Sequence, residues 1–159
     1  VRAVNFTGSS LYGAILRKAD FADAVLTRAN LSNTDLYQTN LNGADLSGAS
    51  LNYASGRWTN LLGADLSSAS LAGASLPWAN LNSADLTNAD LTDADLKRAN
   101  LSGADLTGAD LTRGGIRTAT QVELSRYVGL ERSIQVLIAE PHMANEARKS
   151  HRQGTQAAC

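Results

Sequence analysis

Hydrophobic residues recur at every fifth position of this chain from residue 6 to residue 116, and this period determines the predicted architecture. Of the 23 anchor positions in the series, 19 are Leu, and Phe6, Phe21, Gly56 and Ile116 fill the others. The residue two places before the anchor is Ala in 17 of the 23 units, and the residue between the two is Asp, Asn or Ser in 20. The unit is therefore Ala-(Asp/Asn/Ser)-Leu followed by two variable residues. A repeat of fixed period is typical of solenoid architectures.

A period of five excludes both a continuous amphipathic helix and a flat strand. On a helix, five residues advance about 500°, so successive anchors would lie about 140° apart and spiral around the axis. In a strand, an odd spacing would place successive anchors on opposite faces. A chain that turns a corner once per unit keeps the Ala and Leu of every unit pointing inward. We therefore expect a leucine-filled rod with one corner per repeat.

Residues 4 to 116 resemble the pentapeptide-repeat family, because units such as 104–108, which reads Ala-Asp-Leu-Thr-Gly, match its motif almost throughout. The resemblance implies an all-β fold, a right-handed, four-sided parallel β-helix with one repeat per side and four repeats per coil. Twenty-three repeats then make nearly six coils. The motif residues of the family are structural, so the resemblance carries over no catalytic residue.

With 20 residues per coil, side chains 20 positions apart stack in columns along the rod. One column of residues between Ala and Leu reads Asp20, Asn40, Asn60, Asn80 and Asn100. Stacked amides can bond from coil to coil, so we expect a ladder there. A second column, the acidic column, reads Asp45, Asp65, Asp85 and Asp105. Stacked carboxylates about 4.8 Å apart repel each other, so this column requires another explanation.

Two adjacent outward columns collect basic and aromatic residues, and they are the candidate partner-binding face. They contain Arg17, Lys18, Tyr37, Arg57, Trp58, Trp78, Lys97, Arg98 and Arg117. Six of the nine basic residues in positions 1 to 117 and both tryptophans lie there, and the acidic column falls on the opposite side. Either the basic groups shade exposed rings by cation–π contact on a solvated wall, or this face binds a partner. Aromatic rings beside basic groups suit an anionic partner, nucleic acid included.

Gly56 and Pro77 interrupt the pattern. A missing anchor side chain leaves a void, so we expect a bulge at Ser55 and Gly56 with a neighbouring side chain folded in, and a ligand notch is the alternative. Pro77 occupies an outward corner position and costs at most one ladder hydrogen bond.

The repeats define a domain over 1–118, and two further segments follow. Residues 119–140 begin with a capping-box pattern, which predicts a short helix from Gln121 to Val128, and continue with an apolar stretch from Leu130 to Ala139. This segment either caps the open end of the rod or docks a second copy end to end as a homodimer. The polar and basic residues 141–159 predict disorder.

Composition narrows the function classes. The net charge is −1, no apolar run approaches the ~20 residues of a membrane helix, and no export signal is visible, so we expect a cytoplasmic protein without membrane association. Cys159 is the single cysteine, so no intramolecular disulfide is expected.

The chain is expected not to be an enzyme. Its two histidines, His142 and His151, lie in the tail, and the repeats contain neither His nor Cys for a nucleophile and base pair. No zinc-ligand spacing or phosphate-binding glycine loop is present, and a flat carboxylate ladder does not enclose a cation, so no cofactor or metal is expected.

Two functions remain. The first is a non-enzymatic scaffold that presents flat side-chain faces to a protein partner. The second follows from the resemblance, because some pentapeptide-repeat proteins mimic DNA, bind DNA gyrase and protect it from inhibitors. Residues 1 to 116 carry 11 acidic and 8 basic residues, which is a sparse charge compared with duplex DNA. Direct nucleic-acid binding is the less favoured expectation at this net charge.

Overall fold

Parallel bridges between successive coils organise the chain. The structure, a computed structural model, describes residues 4–113. Each bridge pairs the residue between Ala and Leu with its equivalent 20 residues later, from Asn5 with Val25 to Asp90 with Asp110. Within residues 4–113 there is no α-helix and no extended strand, because each side contributes a single bridging residue before the chain turns. The expected helix in 119–140 and the segment 141–159 lie outside the described residues.

The bridging residues form four columns, which define four sides of the rod in chain order. Side 1 carries Asn5, Val25, Asp45, Asp65, Asp85 and Asp105. Side 2 carries Ser10, Asn30, Ser50, Ser70, Asp90 and Asp110. Side 3 carries Ile15, Asp35, Ser55, Ser75 and Asp95. Side 4 carries Asp20, Asn40, Asn60, Asn80 and Asn100.

Two of the backbone hydrogen bonds in each repeat show how coils and corners are held. Around Leu26, the anchor N–H donates to the carbonyl of Asp45 in the next coil at 2.7 Å. The N–H of Ala29 donates back to the carbonyl of Leu26 at 2.9 Å and closes a turn. The first bond joins coils and the second makes the corner, so the pattern repeats at every side.

Every corner requires one residue in the left-handed region. The third residue of each turn has a positive φ from Gly8 to Arg113, as in a type II turn. Eight of these residues are Gly, and the other fourteen are not. A non-glycine residue there costs roughly 1–2 kcal/mol. The ladder on both sides of the turn fixes the backbone and therefore maintains the strained corners.

The core is a column of leucines and alanines. From Leu26 to Leu111 every anchor leucine is buried, and the alanines from Ala24 to Ala109 are buried with them. In the first coil the anchors are only partly buried, and Phe6 packs edge-to-face on Phe21 with ring centroids 5.5 Å apart. The inward and outward assignment made from the five-residue period is confirmed.

The bulge expected at Ser55 and Gly56 is wrong. The N–H of Gly56 donates to the carbonyl of Ser75 at 2.7 Å, in the same register as every other anchor. The expected filling of the space by neighbouring side chains is confirmed, since a Cβ added to Gly56 would meet the Thr59 hydroxyl and approach Leu76 Cδ2 to 2.6 Å. The buried Thr59 hydroxyl is satisfied by the Leu36 carbonyl at 2.9 Å. Gly56 is therefore a packing adjustment within a regular coil.

The asparagine ladder is confirmed on side 4. Each Asn Nδ2 donates to the side-chain oxygen 20 residues earlier, from Asn40 to Asp20 at 2.8 Å to Asn100 to Asn80 at 3.4 Å. The same oxygens accept a backbone N–H of their own turn, as Asn40 does from Asn42 at 3.2 Å. The ladder thus connects turn geometry within a coil to register between coils.

Candidate functional site

The corner between side 3 and side 4 collects the basic and aromatic residues. It is formed by the second and third turn residues of five successive coils. We call it the basic–aromatic edge, and it comprises Arg17, Lys18, Tyr37, Gln38, Arg57, Trp58, Pro77, Trp78, Lys97 and Arg98. All the predicted face residues lie on it except Arg117, which is outside the described residues.

Contacts between neighbouring coils start at the N-terminal end of the edge. The Cζ atom of Arg17 lies 5.3 Å from the centroid of the Tyr37 ring, within cation–π range. The Tyr37 ring meets Trp58 edge-on, with centroids 5.8 Å apart and planes at 67°. Three coils are thereby joined through side chains 20 and 21 positions apart.

Arg57 occupies the centre of the edge between the two tryptophans. Its Cζ atom lies 3.9 Å from the Trp58 centroid and 4.4 Å from the Trp78 centroid. The two indoles are 6.2 Å apart and tilted by 47°. Arg98 continues the series, with Cζ 5.4 Å from Trp78. The contacts therefore run without a gap along all five coils.

Arg17 also forms an ion pair, which shows how a stacked guanidinium can bind a carboxylate. Its Nε donates to Asp35 Oδ2 at 2.6 Å while the group remains over Tyr37. This hydrogen bond holds the pKa of Asp35 below that of a free aspartate. The Arg17 side chain is 61% exposed, so the pair lies in a solvated environment and adds little stability.

The edge differs from the other three corners in its turn residues. Its left-handed positions are Lys18, Gln38, Trp58, Trp78 and Arg98, with φ between 55° and 60°. Each of the other corners has at least two glycines there, at Gly8, Gly48 and Gly108, at Gly13 and Gly73, and at Gly43, Gly63 and Gly103. Within residues 4–113 the edge is therefore the one corner with a side chain at every left-handed position.

Pro77 fits the edge without loss of a ladder bond. It occupies the second position of its turn, where its fixed φ suits a type II turn. Its carbonyl accepts the N–H of Trp58 at 3.2 Å, which is the standard bond between corners of successive coils. The expected cost of at most one ladder bond is confirmed, since the second turn residue donates no backbone bond between coils.

Solvent reaches the edge. Trp58 is 41% exposed, Tyr37 and Trp78 are half-buried, and the four cations Lys18, Arg57, Lys97 and Arg98 are exposed. Part of each ring surface and all four cationic groups are therefore accessible to a partner.

The acidic column lies on side 1, opposite side 3, and local hydrogen bonds explain how its carboxylates tolerate stacking. Asp45 Oδ1 accepts the backbone N–H of Ser47 at 3.0 Å and the Ser47 hydroxyl at 2.6 Å. The backbone part of this turn recurs at Asp65 with Ser67, Asp85 with Thr87 and Asp105 with Thr107. The hydroxyl of Ser47 holds the pKa of Asp45 below its ordinary value, and the hydroxyl of Thr107 does the same for Asp105.

Sequence reasoning missed three contributors to the edge. Asp35 pairs with Arg17 across 18 positions, and no column of 20 contains both. Gln38 completes the run of turn residues without glycine. The third is the contact of the Arg57 guanidinium with both indole rings. The separation of 18 could have revealed the ion pair, because a second turn residue and the bridging residue of the next coil are neighbours.

Two further observations concern the coils. Residues 4–113 hold no group of three or more His, Cys, Asp or Glu side chains arranged to bind a metal ion. In this described part of the chain no helix is long and apolar enough to cross a membrane.

A known family model matches the repeats of this chain. The family model of pentapeptide repeats, described as containing eight copies, matches residues 5–43, 39–76 and 74–113. Among curated proteins no match was found.

Solved structures support the same fold. A pentapeptide-repeat protein, Rfr23, from the cyanobacterium Cyanothece 51142 is 35% identical, with a TM-score of 0.50, over 70% of this chain and 88% of that one. A trypsin-treated form of QnrB1, a plasmid-mediated fluoroquinolone resistance protein, has a TM-score of 0.60 at 21% identity, over 69% of this chain. This chain spans only 61% of the QnrB1 chain, and at that identity the similarity concerns the fold alone. Such proteins form right-handed, four-sided β-helices.

Proposed function

The chain belongs to the pentapeptide-repeat family, and from this premise we propose that it is a non-enzymatic scaffold whose basic–aromatic edge binds a protein partner. The family repeat dictates the inward residues, so recognition has to come from outward ones. The edge is the outward region where composition departs most from what the corners require. The observation that carries the proposal is the run of five large turn residues in strained backbone, joined by ring and cation contacts.

The energetics of interfaces support this assignment. Trp, Tyr and Arg are the side chains that dominate binding energies at protein interfaces. Here Arg57 already contacts the rings of Trp58 and Trp78, so less side-chain freedom would be lost when a partner binds. Preorganisation of this kind lowers the entropic cost of association.

The test replaces the exposed part of the edge. In the variant Trp58→Ala, Trp78→Ala, Arg98→Ala, we expect loss of the proteins that cross-link to the parent chain in cell extract. A control variant, Tyr12→Ala, Tyr53→Ala, Arg28→Ala, removes two exposed aromatics and one cation from other corners. Thermal unfolding establishes that both variants are folded. If the edge variant retains the same partners at undiminished affinity, the proposal is wrong.

The second candidate function is mimicry of DNA, by which the chain would bind DNA gyrase and protect it from inhibitors. The acidic column is the observation that favours it. The column supplies one carboxylate per coil, about every 4.8 Å, against one negative charge per about 1.7 Å in duplex DNA. The column is therefore a sparse mimic, and we rank this function below the edge. A gyrase supercoiling assay with a quinolone, with the parent and with Asp65→Asn and Asp85→Asn, decides whether the column protects the enzyme.

A further inference from the structure

Arg57 lacks the carboxylate that Arg17 has at the equivalent position. Arg17 pairs with the side 3 residue 18 positions later, Asp35. The residue 18 positions after Arg57 is Ser75, and it is a serine. Side 3 carries Asp35 and Asp95, with Ser55 and Ser75 between them. Within residues 4–113, Arg57 forms no ion pair.

The stacked guanidinium of Arg57 is prepared for a planar anion. A guanidinium held over an aromatic ring keeps its N–H groups in the plane parallel to that ring, where a carboxylate can accept two of them. Arg17 already combines both interactions in this molecule, over Tyr37 and with Asp35. At Arg57 the ring contacts are present, but the residue in the place of Asp35 is Ser75, which carries no charge.

We propose that Arg57 binds a carboxylate from an acidic, extended segment of the partner protein, in the place that Asp35 takes for Arg17; this rests on the interaction role proposed above. Lys18, Lys97 and Arg98 extend the positive charge to both sides. From Arg17 to Lys97 the edge spans four coil rises, roughly 19 Å, which matches about six residues of extended chain. The ligand is therefore a short acidic stretch.

A nucleic acid fits this surface less well. Stacking of bases requires open ring faces, but Arg57 covers one face of each indole at 3.9 and 4.4 Å. The ring planes are also inclined at 67° and 47°, so they form no parallel slots.

The two tryptophans of the chain both lie on the edge, so their fluorescence reports on the site directly. The full chain is titrated with an end-blocked peptide of alternating Glu and Gly, about six residues long. We expect a saturable change in tryptophan emission that weakens with added salt. A Gln and Gly peptide of the same length serves as the uncharged control, and a short oligothymidylate tests the nucleic-acid alternative.

Two pairs of variants make the test specific. Arg57→Gln should weaken binding of the acidic peptide by about tenfold or more, as expected for loss of a charge-assisted hydrogen-bond pair. Arg28→Gln, which removes a cation from another corner, should leave it unchanged. Ser75→Asp supplies an internal carboxylate and should weaken binding by a similar factor, whereas Ser50→Asp on side 2 adds the same charge away from the edge.

Each outcome decides the inference. Equal binding by the parent and Arg57→Gln, equal effects of Ser75→Asp and Ser50→Asp, or tighter binding of oligothymidylate than of the acidic peptide would overturn it. If the acidic peptide does not bind but the triple edge variant still loses its cross-linked proteins, the carboxylate assignment is wrong and the interaction role stands. If the triple variant keeps those proteins, the interaction role itself fails.

Discussion

At the residue scale, the third turn residue has to adopt the backbone conformation of the corner, and its side chain also forms part of the outer surface. The corner needs a positive φ, for which Gly is the least costly choice, and eight corners use it. Trp58 and Trp78 take the same backbone conformation at φ 60° and 58°. Their strain is offset by contacts with Arg57 and by the rigid ladder around them. The contacts of the indole rings, and not the requirement of the turn, therefore explain why Trp occupies these two positions.

Substitutions at two glycines distinguish the cost of backbone strain from the cost of overpacking. Gly63 has φ +61° and open space around a would-be Cβ, so Gly63→Ala adds only backbone strain. We expect it to lower the free energy of unfolding by about 1 kcal/mol, after the entropy change of the unfolded chain offsets part of the strain. Gly56 has no such φ, but its added Cβ would press on Leu76 and Thr59. Gly56→Ala should cost about 1–3 kcal/mol through overpacking.

Urea unfolding of the two variants measures both effects. If Gly56→Ala lowers the free energy of unfolding by no more than Gly63→Ala does, the space at the missing anchor side chain is open, as it would be in a ligand notch. Retained m-values in both variants would show that the coils still unfold together.

At the scale of the coil, register depends on side-chain ladders as well as the backbone. The amide ladder on side 4 and the aspartate turns on side 1 use the same acceptor position in different ways. Both accept a backbone N–H of their own turn, and the amides in addition bond to one another from coil to coil. A charged column on the surface can thus be stable without any ligand.

The amide ladder should contribute measurably to stability. Asn60→Ala removes the ladder bonds to Asn40 at 3.0 Å and from Asn80 at 3.2 Å, and also the turn bond from the Leu62 backbone N–H at 3.3 Å. At roughly 0.5–1.5 kcal/mol per net hydrogen bond, we expect a loss of about 1.5–4.5 kcal/mol in the free energy of unfolding. Asn82→Ala, which removes one exposed bond from Ser83, is the control and should change it by less than ~0.5 kcal/mol. Equal effects would show that the amide column contributes nothing to register.

Acidification should weaken the coil through the capped aspartates. Because the folded pKa values of Asp45 and Asp105 are lowered, these groups stabilise the fold above the unfolded value of about 3.9. That contribution is lost as the pH falls from about 5 through the folded pKa values. In the double variant Ser47→Ala, Thr107→Ala, we expect a smaller loss of unfolding free energy over this range. Identical pH dependence in the variant and the parent would contradict the capping role.

The columns were predictable from the sequence because they depend only on the period. Once the coil has 20 residues, Asn40 and Asn60 must stack and Trp58 must lie beside Trp78. The diagonal pair of Arg17 and Asp35 depends on side-chain rotamers, which the period does not specify. At Gly56 the filling by neighbouring side chains was expected, but the bulge was wrong because Thr59 and Leu76 close the gap without a change of register.

At the scale of the whole molecule, charge is distributed unevenly around the rod. Five of the described cations lie on the corner between sides 3 and 4, while the acidic column lies on side 1. The basic–aromatic edge and the acidic column are therefore separate, and variants on one should leave the other intact.

The segment beyond the coils has two proposed roles with different outcomes. If residues 119–140 cap the rod, deletion of 120–159 exposes the last leucines and should cause concentration-dependent association. If they dock a second copy, the shortened chain should be a monomer and the full chain a dimer. Sedimentation of the two proteins separates these roles, and identical monomeric behaviour of both would contradict each of them.

The most direct test of the account is whether the 20-residue coil brings the two tryptophans together on the edge. With indole centroids 6.2 Å apart, the two rings should couple and give a paired exciton band in circular dichroism. We predict that Trp58→Phe and Trp78→Phe each abolish that band while the variants keep their cooperative unfolding. A parent spectrum that contains no such band, or that equals the sum of the single-tryptophan contributions, would contradict the four-sided register and the edge built on it.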